Sequence, residues 1–260
     1  MLNKIVLLCP DKINTNYKIV REMDVSDNEH TLFITDSKQD LTCLNDHNCA
    51  VLFVSRDNGF VTGAKYITES LEDCDDEYFN TVFSRQKKIP LKIFETARTV
   101  VREMTVKDLE ELYIIYEDTL VKKYIEPLHE YEEEKIYTEK YIENMYGLYG
   151  YGLWIVVDKK TDNIIGRIGI SIKNIDGEDK KELGYVIRKE YRRRGYAYEV
   201  CADVLDYALK KPDIDEMYTV ISMENEASLR LAGKLGFEYY DKKMQKNTYY
   251  GIFKKNLKST

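Results

Sequence analysis

The run Glu182-Leu183-Gly184-Tyr185-Val186-Ile187-Arg188-Lys189-Glu190-Tyr191, continuing as Arg192-Arg193-Arg194-Gly195-Tyr196-Ala197, decides how this chain is read. A strand leads through a basic turn to the start of a helix. Beyond Gly195, the residues Ala197, Val200, Cys201, Val204, Leu205, Ala208 and Leu209 form one apolar stripe at helical period. Lys210 and Lys211 suit the negative end of that helix, and Pro212 lies just past it. The first N–H groups of a helix have no partner within it and carry partial positive charge, so an anion fits there. Gly195 has no Cβ to keep oxygen atoms away from the backbone, and Ala197 is small for the same purpose. Arg188, Lys189, Arg192, Arg193 and Arg194 make a basic knot in a chain of net charge −7. That suggests a small anionic ligand, although charge alone equally describes a solvated loop.

Composition narrows the classes. At 260 residues, 43% hydrophobic and 33% charged, the chain suits one large domain or two modest ones and can bury a core. No apolar run reaches the roughly 18 residues that span a membrane, and the apolar stretch over residues 5–9 is too short for a secretion signal, so no membrane partner is expected. Cys9, Cys43, Cys49, Cys74 and Cys201 are odd in number and include no C-x-x-C pair. They argue against a disulfide framework and against zinc, and point to a reducing cytoplasm; no metal is expected. The acidic surface repels phosphate backbones, so nucleic acid is not the expected partner.

Working outward, periodicity predicts strands over residues 5–9, 31–35, 50–54 and 66–68, with short helices over 17–23, near 41–44 and over 77–85. That is the pattern of a small parallel sheet with helices on its faces. Gln86-Lys87-Lys88-Ile89-Pro90 reads as a boundary. Beyond it come a strand over 99–103, a helix over 106–116 capped by Thr105 with Asp108 in its first turn, and a helix over about 130–145. Strands follow over 153–157, 164–172 and 182–187, with a hairpin turn at 159–163. After the striped helix the pattern gives a strand over 217–221, a helix over 225–235 stopped by Gly236, and strands near 237–240 and 248–253.

Arg192-x-x-Gly195-x-Ala197, between a strand and a long helix, resembles the acetyl-CoA motif of the Gcn5-related N-acetyltransferase superfamily. Asn225-Glu226-Ala227-Ser228-Leu229-Arg230-Leu231-Ala232-Gly233-Lys234-Leu235-Gly236-Phe237 is similar to that family's last helix and its Gly-Phe exit, at a fitting distance. The resemblance spans residues 96–253 and points to the branch that acetylates ribosomal-protein N-termini, which also contains enzymes acting on other amines. It implies an α/β (α+β) chain: a mixed-sheet acyl-CoA N-acyltransferase fold over residues 96–256, preceded by a small three-layer α/β domain over 1–88. It further implies that the fourth and fifth strands of the fold splay apart. Pantetheine would lie in the gap, paired with backbone groups of Tyr185, Val186 and Ile187. The diphosphate would rest on Arg192, Arg193, Arg194, Gly195, Tyr196 and Ala197. Asn225 and Ser228 would flank the pantetheine arm, although Asn225 also reads simply as a helix cap.

The reaction so implied is direct transfer of an acetyl group from acetyl-CoA to a primary amine on a small molecule, a peptide or a protein N-terminus. The amine must lose a proton before it attacks. Glu182 is the candidate base, against the alternative of an ordinary strand-end carboxylate, and Glu103 is a second candidate. Where the family often carries a tyrosine that returns a proton to the CoA thiolate, this chain has Ala232. The acid is therefore unassigned, and water can protonate a thiolate. A catalytically weak acyl-CoA-binding sensor or scaffold is the alternative function. Glu126, Glu130, Glu132, Glu133 and Glu134 would attract a cationic acceptor or form a solvated helix face. The tyrosines over 146–151 would line the acceptor site or pack half-buried.

In the first third, Ile34-Thr35-Asp36-Ser37-Lys38-Gln39-Asp40-Leu41 and Ala64-Lys65-Tyr66-Ile67-Thr68-Glu69-Ser70-Leu71 are similar to the last third of a haloacid-dehalogenase-type hydrolase. Asp36 and Asp40 match the second acidic pair of that family, which helps to hold magnesium. The D-x-D nucleophile that such chemistry needs is missing: residues 5–9 are followed by Pro10-Asp11-Lys12. The segment is expected to be a truncated, non-catalytic relative that orients the acceptor, recruits a partner or builds a homodimer.

Overall fold

Strands as apolar as those of the first third must be covered on both faces. The computed structural model, which describes residues 1–57, 61–245 and 248–258, shows how. The chain divides into two compact units, Met1–Leu91 and Lys92–Thr260. The first holds β1 (Lys4–Leu7), β2 (Lys18–Val20), β3 (Thr31–Thr35), α1 (Lys38–Asp46), β4 (Ala50–Val54), β5 (Ile67–Thr68) and α2 (Asp76–Gln86). Its five strands are all parallel, in the order β2-β1-β3-β4-β5. Successive side chains point to opposite faces of a strand. Ile5, Leu32, Ile34, Leu52 and Val54 therefore pack with Phe79, Val82 and Phe83 of α2, while Val6, Phe33, Val51 and Phe53 pack with Leu41 and Leu44 of α1. Ser37 and Asp75 cap the two helices through their side chains.

In this unit one element differs from the sequence expectation. Residues 17–23 are not helical: Lys18-Ile19-Val20 is β2, paired parallel with β1 from Lys4↔Lys18 to Val6↔Val20. Two β-branched residues beside an unpaired sheet edge favour the strand, and a four-residue register reading cannot see that edge.

The second unit contains β6 (Lys92–Glu95), β7 (Thr99–Arg102), α3 (Leu109–Tyr116), α4 (Thr119–Tyr124), α5 (Tyr131–Tyr141), β8 (Leu153–Asp158), β9 (Ile164–Ile175), β10 (Glu178–Ile187), α6 (Tyr196–Leu209), β11 (Glu216–Ser222), α7 (Glu226–Lys234), β12 (Glu238–Gln245) and β13 (Thr248–Asn256). A short 3₁₀ turn, Val106–Asp108, leads into α3, with the reciprocal Thr105/Asp108 capping box. The helix expected over 130–145 is α-helical only to Tyr141. It continues as a π-helical stretch, Ile142–Tyr149, and ends at Gly150 with φ 70°. The wider turn accommodates a buried Tyr146 whose hydroxyl donates to the Leu153 carbonyl at 2.6 Å.

The eight strands run in the order β12-β13-β11-β10-β9-β8-β7-β6. Every neighbour pair is antiparallel except β10 and β11, which are parallel and in register at a single pair, Glu182↔Tyr218. Elsewhere the ladder is long: β9 and β10 pair from Ile175↔Glu178 to Gly166↔Ile187. The stripe of α6 buries Val200, Cys201, Val204, Leu205 and Ala208 in the core with Trp154, Ile168 and Leu183. Each fully buried Val or Leu contributes roughly 1.5–3 kcal/mol. No helix among the described residues is long and apolar enough to cross a membrane.

Candidate active site

The cleft begins where β10 and β11 part. Past Glu182↔Tyr218 the ladder gives way to side chains. The Thr219 hydroxyl donates to the Leu183 carbonyl at 3.2 Å, and the Glu182 carboxylate accepts the Val220 N–H at 3.3 Å. Side chains in place of backbone partners hold the strands apart. The resulting cavity, about 520 Å³, is lined by Gly184, Tyr185 and Val186 of β10, Ile221 and Ser222 of β11, and Asn225 and Ser228 at the start of α7. Asn225 caps α7 by accepting from the Ser228 N–H at 3.2 Å, so its capping and its place on the cleft wall coexist. Ile187 continues β10 toward the basic turn.

That turn is shaped by two residues in the left-handed region, Arg193 at φ 58° and Gly195 at φ 84°. The first helical bond of α6 is donated by Glu199 to the Gly195 carbonyl, at 3.1 Å. Tyr196, Ala197 and Tyr198 therefore point N–H groups out of the helix end. Ser37, Asp75, Asp118 and Asn225 each cap their own helix, yet no side chain caps α6. The helices α3 and α5 likewise lack a side-chain cap, and Glu199 lies in the first turn of α6, held by Arg98; the N–H groups at the start of α6 remain open to an anion.

The arginines divide the work. Arg192 turns inward: its Nε donates to the Ile187 carbonyl at 2.8 Å and its Nη1 pairs with Asp118 at 2.8 Å. Its side chain braces the turn. Arg193 and Arg194 are exposed, with Arg194 over the Tyr191 ring. Tyr196 anchors the helix by donating to Asp158 Oδ1 at 2.8 Å. Two residues without any sequence signal complete the brace. Arg98 donates to Glu199 Oε2 at 2.7 Å and to the Arg194 carbonyl at 2.9 Å, and lies 4.0 Å over the Tyr196 ring. Asp118 neutralises Arg192. Nothing local marks either residue, because each acts across many intervening positions.

Glu182 sits at the vertex of the cleft. Its second oxygen accepts from the Ser171 hydroxyl at 3.3 Å. Burial pushes its pKa above the usual carboxylate range, opposed by Lys173 and by the hydrogen bonds from Val220 and Ser171. A raised carboxylate in a cleft is suited to take a proton, and the same contacts give it a share in holding the strands apart. Glu103 is buried and does not line the cleft. Ala232 is buried in the core, so no hydroxyl stands at its position. The phenols that do line the cleft belong to Tyr116, Tyr124, Tyr185 and Tyr250.

The far wall of the cavity is formed by residues 122–127 together with Leu153, Arg167, Ser171 and Lys173. Of the acidic segment only Glu126 lines it; Glu130, Glu132 and Glu133 are exposed, and Glu134 is buried, accepting the His129 N–H at 3.0 Å. The tyrosines over 146–151 do not line the cleft. Tyr146 and Tyr151 are buried, with hydroxyls on Leu153 and Asp213. Among the described residues no cluster of His, Cys, Asp or Glu could hold a metal ion, and all five cysteines are free.

Comparison with known proteins bears on this geometry. The family described as "Acetyltransferase (GNAT) domain" matches residues 98–238. An uncharacterized protein of Bacillus subtilis, YkkB, is 30% identical over 145 residues, which cover 55% of this chain and 84% of that protein. A GNAT-family acetyltransferase of Bacillus anthracis is similar in structure, with a TM-score of 0.52, 24% identity, and 63% of this chain and 97% of that one covered. A spermidine N-acetyltransferase of Vibrio cholerae, solved in complex with CoA and spermine, has a TM-score of 0.52 at 18% identity and covers 61% of this chain and 95% of that one.

Proposed function

The chain belongs to the GNAT acetyltransferase family, and from that premise we propose that the unit Lys92–Thr260 moves an acetyl group from acetyl-CoA directly to a primary amine. The observation that carries the reading is the single-pair register of β10 and β11, which opens a cleft lined by Gly184, Tyr185, Val186, Asn225 and Ser228; β10 leads from that cleft to the turn before α6, whose residues 192–197 do not line it. On this reading the diphosphate is held by the N–H groups of Tyr196 and Ala197, with Gly195 allowing close approach and Arg193 and Arg194 adding charge. The pantetheine arm runs along Tyr185, Val186 and Ile187, past Asn225 and Ser228. The thioester then lies near Gly184, two residues along the strand from Glu182 and on the same face.

In the transfer, the neutral amine attacks the thioester carbonyl, the C–N bond forms, and CoA leaves as thiolate. Glu182 accepts the proton the amine sheds, directly or through one water. Holding amine and thioester together contributes at most roughly 7–11 kcal/mol, so positioning exceeds the share of the base. Water reprotonates the thiolate, since position 232 supplies no hydroxyl. That same Ala232 favours the second reading, an acyl-CoA-binding sensor.

In the unit Met1–Leu91 the carboxylates of Asp11 and Asp36 are bridged by the guanidinium of Arg56. The unit's free thiols support a cytoplasmic setting.

Thiol release from acetyl-CoA, measured with the full chain and a panel of primary amines, tests the proposal. Release above the no-amine rate supports transfer. Tight acetyl-CoA binding without release with any amine would establish the sensor instead.

A further inference from the structure

The wall of the cleft opposite the cofactor path contains an arginine that, among the described residues, forms no ion pair with a carboxylate. Arg167, on β9, lines the cavity and is 6% exposed. Its Nε is sealed from solvent and has no hydrogen-bond partner. Among the described residues no carboxylate forms an ion pair with its guanidinium; the phenols of Tyr116 and Tyr141 interact with it by hydrogen bonding, Tyr146 lies near, and the Tyr141 ring is 5.4 Å from its Cζ. By contrast, Arg98, Arg102, Arg188 and Arg192 in the same unit each hold a carboxylate.

A buried cation without a counter-ion is expensive, and a guanidinium is the group that takes a carboxylate through two parallel hydrogen bonds. The register places it on the acceptor side of the sheet. Arg167 is opposite Val186, and Glu182 is opposite Ser171. Arg167, Ser171, Glu182 and Val186 therefore share one face. Gly169 and Gly184, opposite each other, lie between them, and Gly152 and Leu153 pack over the two glycines. We propose that the acceptor is a small amino-carboxylate whose amine lies at Glu182 and whose carboxylate pairs with Arg167. The inference rests on the acetyl-transfer reading of the same cleft. It also reverses the polarity suggested by the acidic segment, most of which faces away from the cavity.

The test compares ω-amino acids of graded length with the matched amides and the matched alkylamines as acceptors of the full chain. Turnover of an amino acid at a kcat/KM roughly 30-fold or more above its amide is expected, the lower end for one buried charge pair. Arg167→Met should erase that ratio while leaving acetyl-CoA affinity unchanged; replacing an unpaired buried charge by an apolar side chain should also leave the protein at least as stable. Amide or alkylamine turned over as well as the amino acid would overturn the inference but not the transfer reading, whereas no release with any acceptor would strike the transfer reading. An independent arm uses butyrate and butylamine as probes on ¹⁵N-arginine-labelled protein. The Arg167 Nε–H signal, assigned by its loss in Arg167→Met, should move saturably with butyrate and not with butylamine. A signal unmoved by butyrate would overturn the inference whatever the turnover.

Discussion

The two units each bring charged residues to the ends of parallel strands, and they treat them in opposite ways. In Met1–Leu91, Arg56 bridges Asp11 and Asp36, and the cap of α1 is supplied by Ser37, so the strand ends are satisfied by the chain itself. In Lys92–Thr260 the turn after β10 ends in a helix that no side chain caps, beside strands that pair at one position only. A region that answers its own charges has nothing left to offer a ligand. One that leaves N–H groups and a buried guanidinium unanswered holds binding energy in reserve.

The largest expected effect breaks the open end. Gly195→Glu places a carboxylate against the diphosphate and forces a side chain into φ 84°, where its Cβ also meets Arg98 Nη2 at 3.4 Å. Acetyl-CoA affinity should fall by more than roughly 100-fold. Calorimetric titration reads this directly, with circular dichroism confirming the fold.

Next in size is Glu182→Gln, which keeps an acceptor for the Val220 N–H but removes the proposed base. kcat should drop by roughly 100-fold with acetyl-CoA affinity retained. The pH profile gives the sign. With a folded pKa above the usual carboxylate value, wild-type kcat/KM should rise with pH through that raised value, and the variant should lose that limb. Stability follows the same group. The neutral form is favoured in the folded state, so its contribution is full below the ordinary carboxylate pKa and is lost as pH rises through the raised one. Glu182→Gln should flatten that decline in chemical denaturation measured across pH.

Arg98→Ala sharpens the comparison. It leaves Glu199 without its partner in the first turn of α6, so its carboxylate competes with the diphosphate. Roughly tenfold weaker acetyl-CoA binding is expected, the equivalent of one charge-assisted hydrogen bond. The smallest effect belongs to the closed end. Arg56→Met should leave acetyl transfer unchanged and cost about 1 kcal/mol or less in denaturant unfolding, as exposed ion pairs do.

How much of this was legible depended on how local the signal is. The stripe of α6 and the Gly195 turn are written in consecutive residues, and so is the cap at Asn225. The apolar runs of β3 and β4 were equally plain, because parallel strands buried on both faces are continuous apolar runs. What escaped was set by distant partners. Lys18-Ile19-Val20 became a strand because β1 offered an edge. Tyr146 and Tyr151 went into the core because carbonyl and carboxylate partners awaited their hydroxyls. Arg98 and Asp118 brace a turn far along the chain. Nothing in the sequence around Arg167 shows that, among the described residues, no carboxylate pairs with it. The family resemblance, on the other hand, drew the expected splay of the strands toward the right pair.

The central claim is that the uncapped end of α6 receives the diphosphate of coenzyme A. Backbone amide signals of ¹⁵N-labelled full-length protein during titration with acetyl-CoA test it most directly. The account predicts that Gly195, Tyr196 and Ala197 move furthest and saturate at one equivalent, while the amides around Asp11 and Asp36 stay still. Saturable binding that leaves Tyr196 and Ala197 unmoved would contradict it.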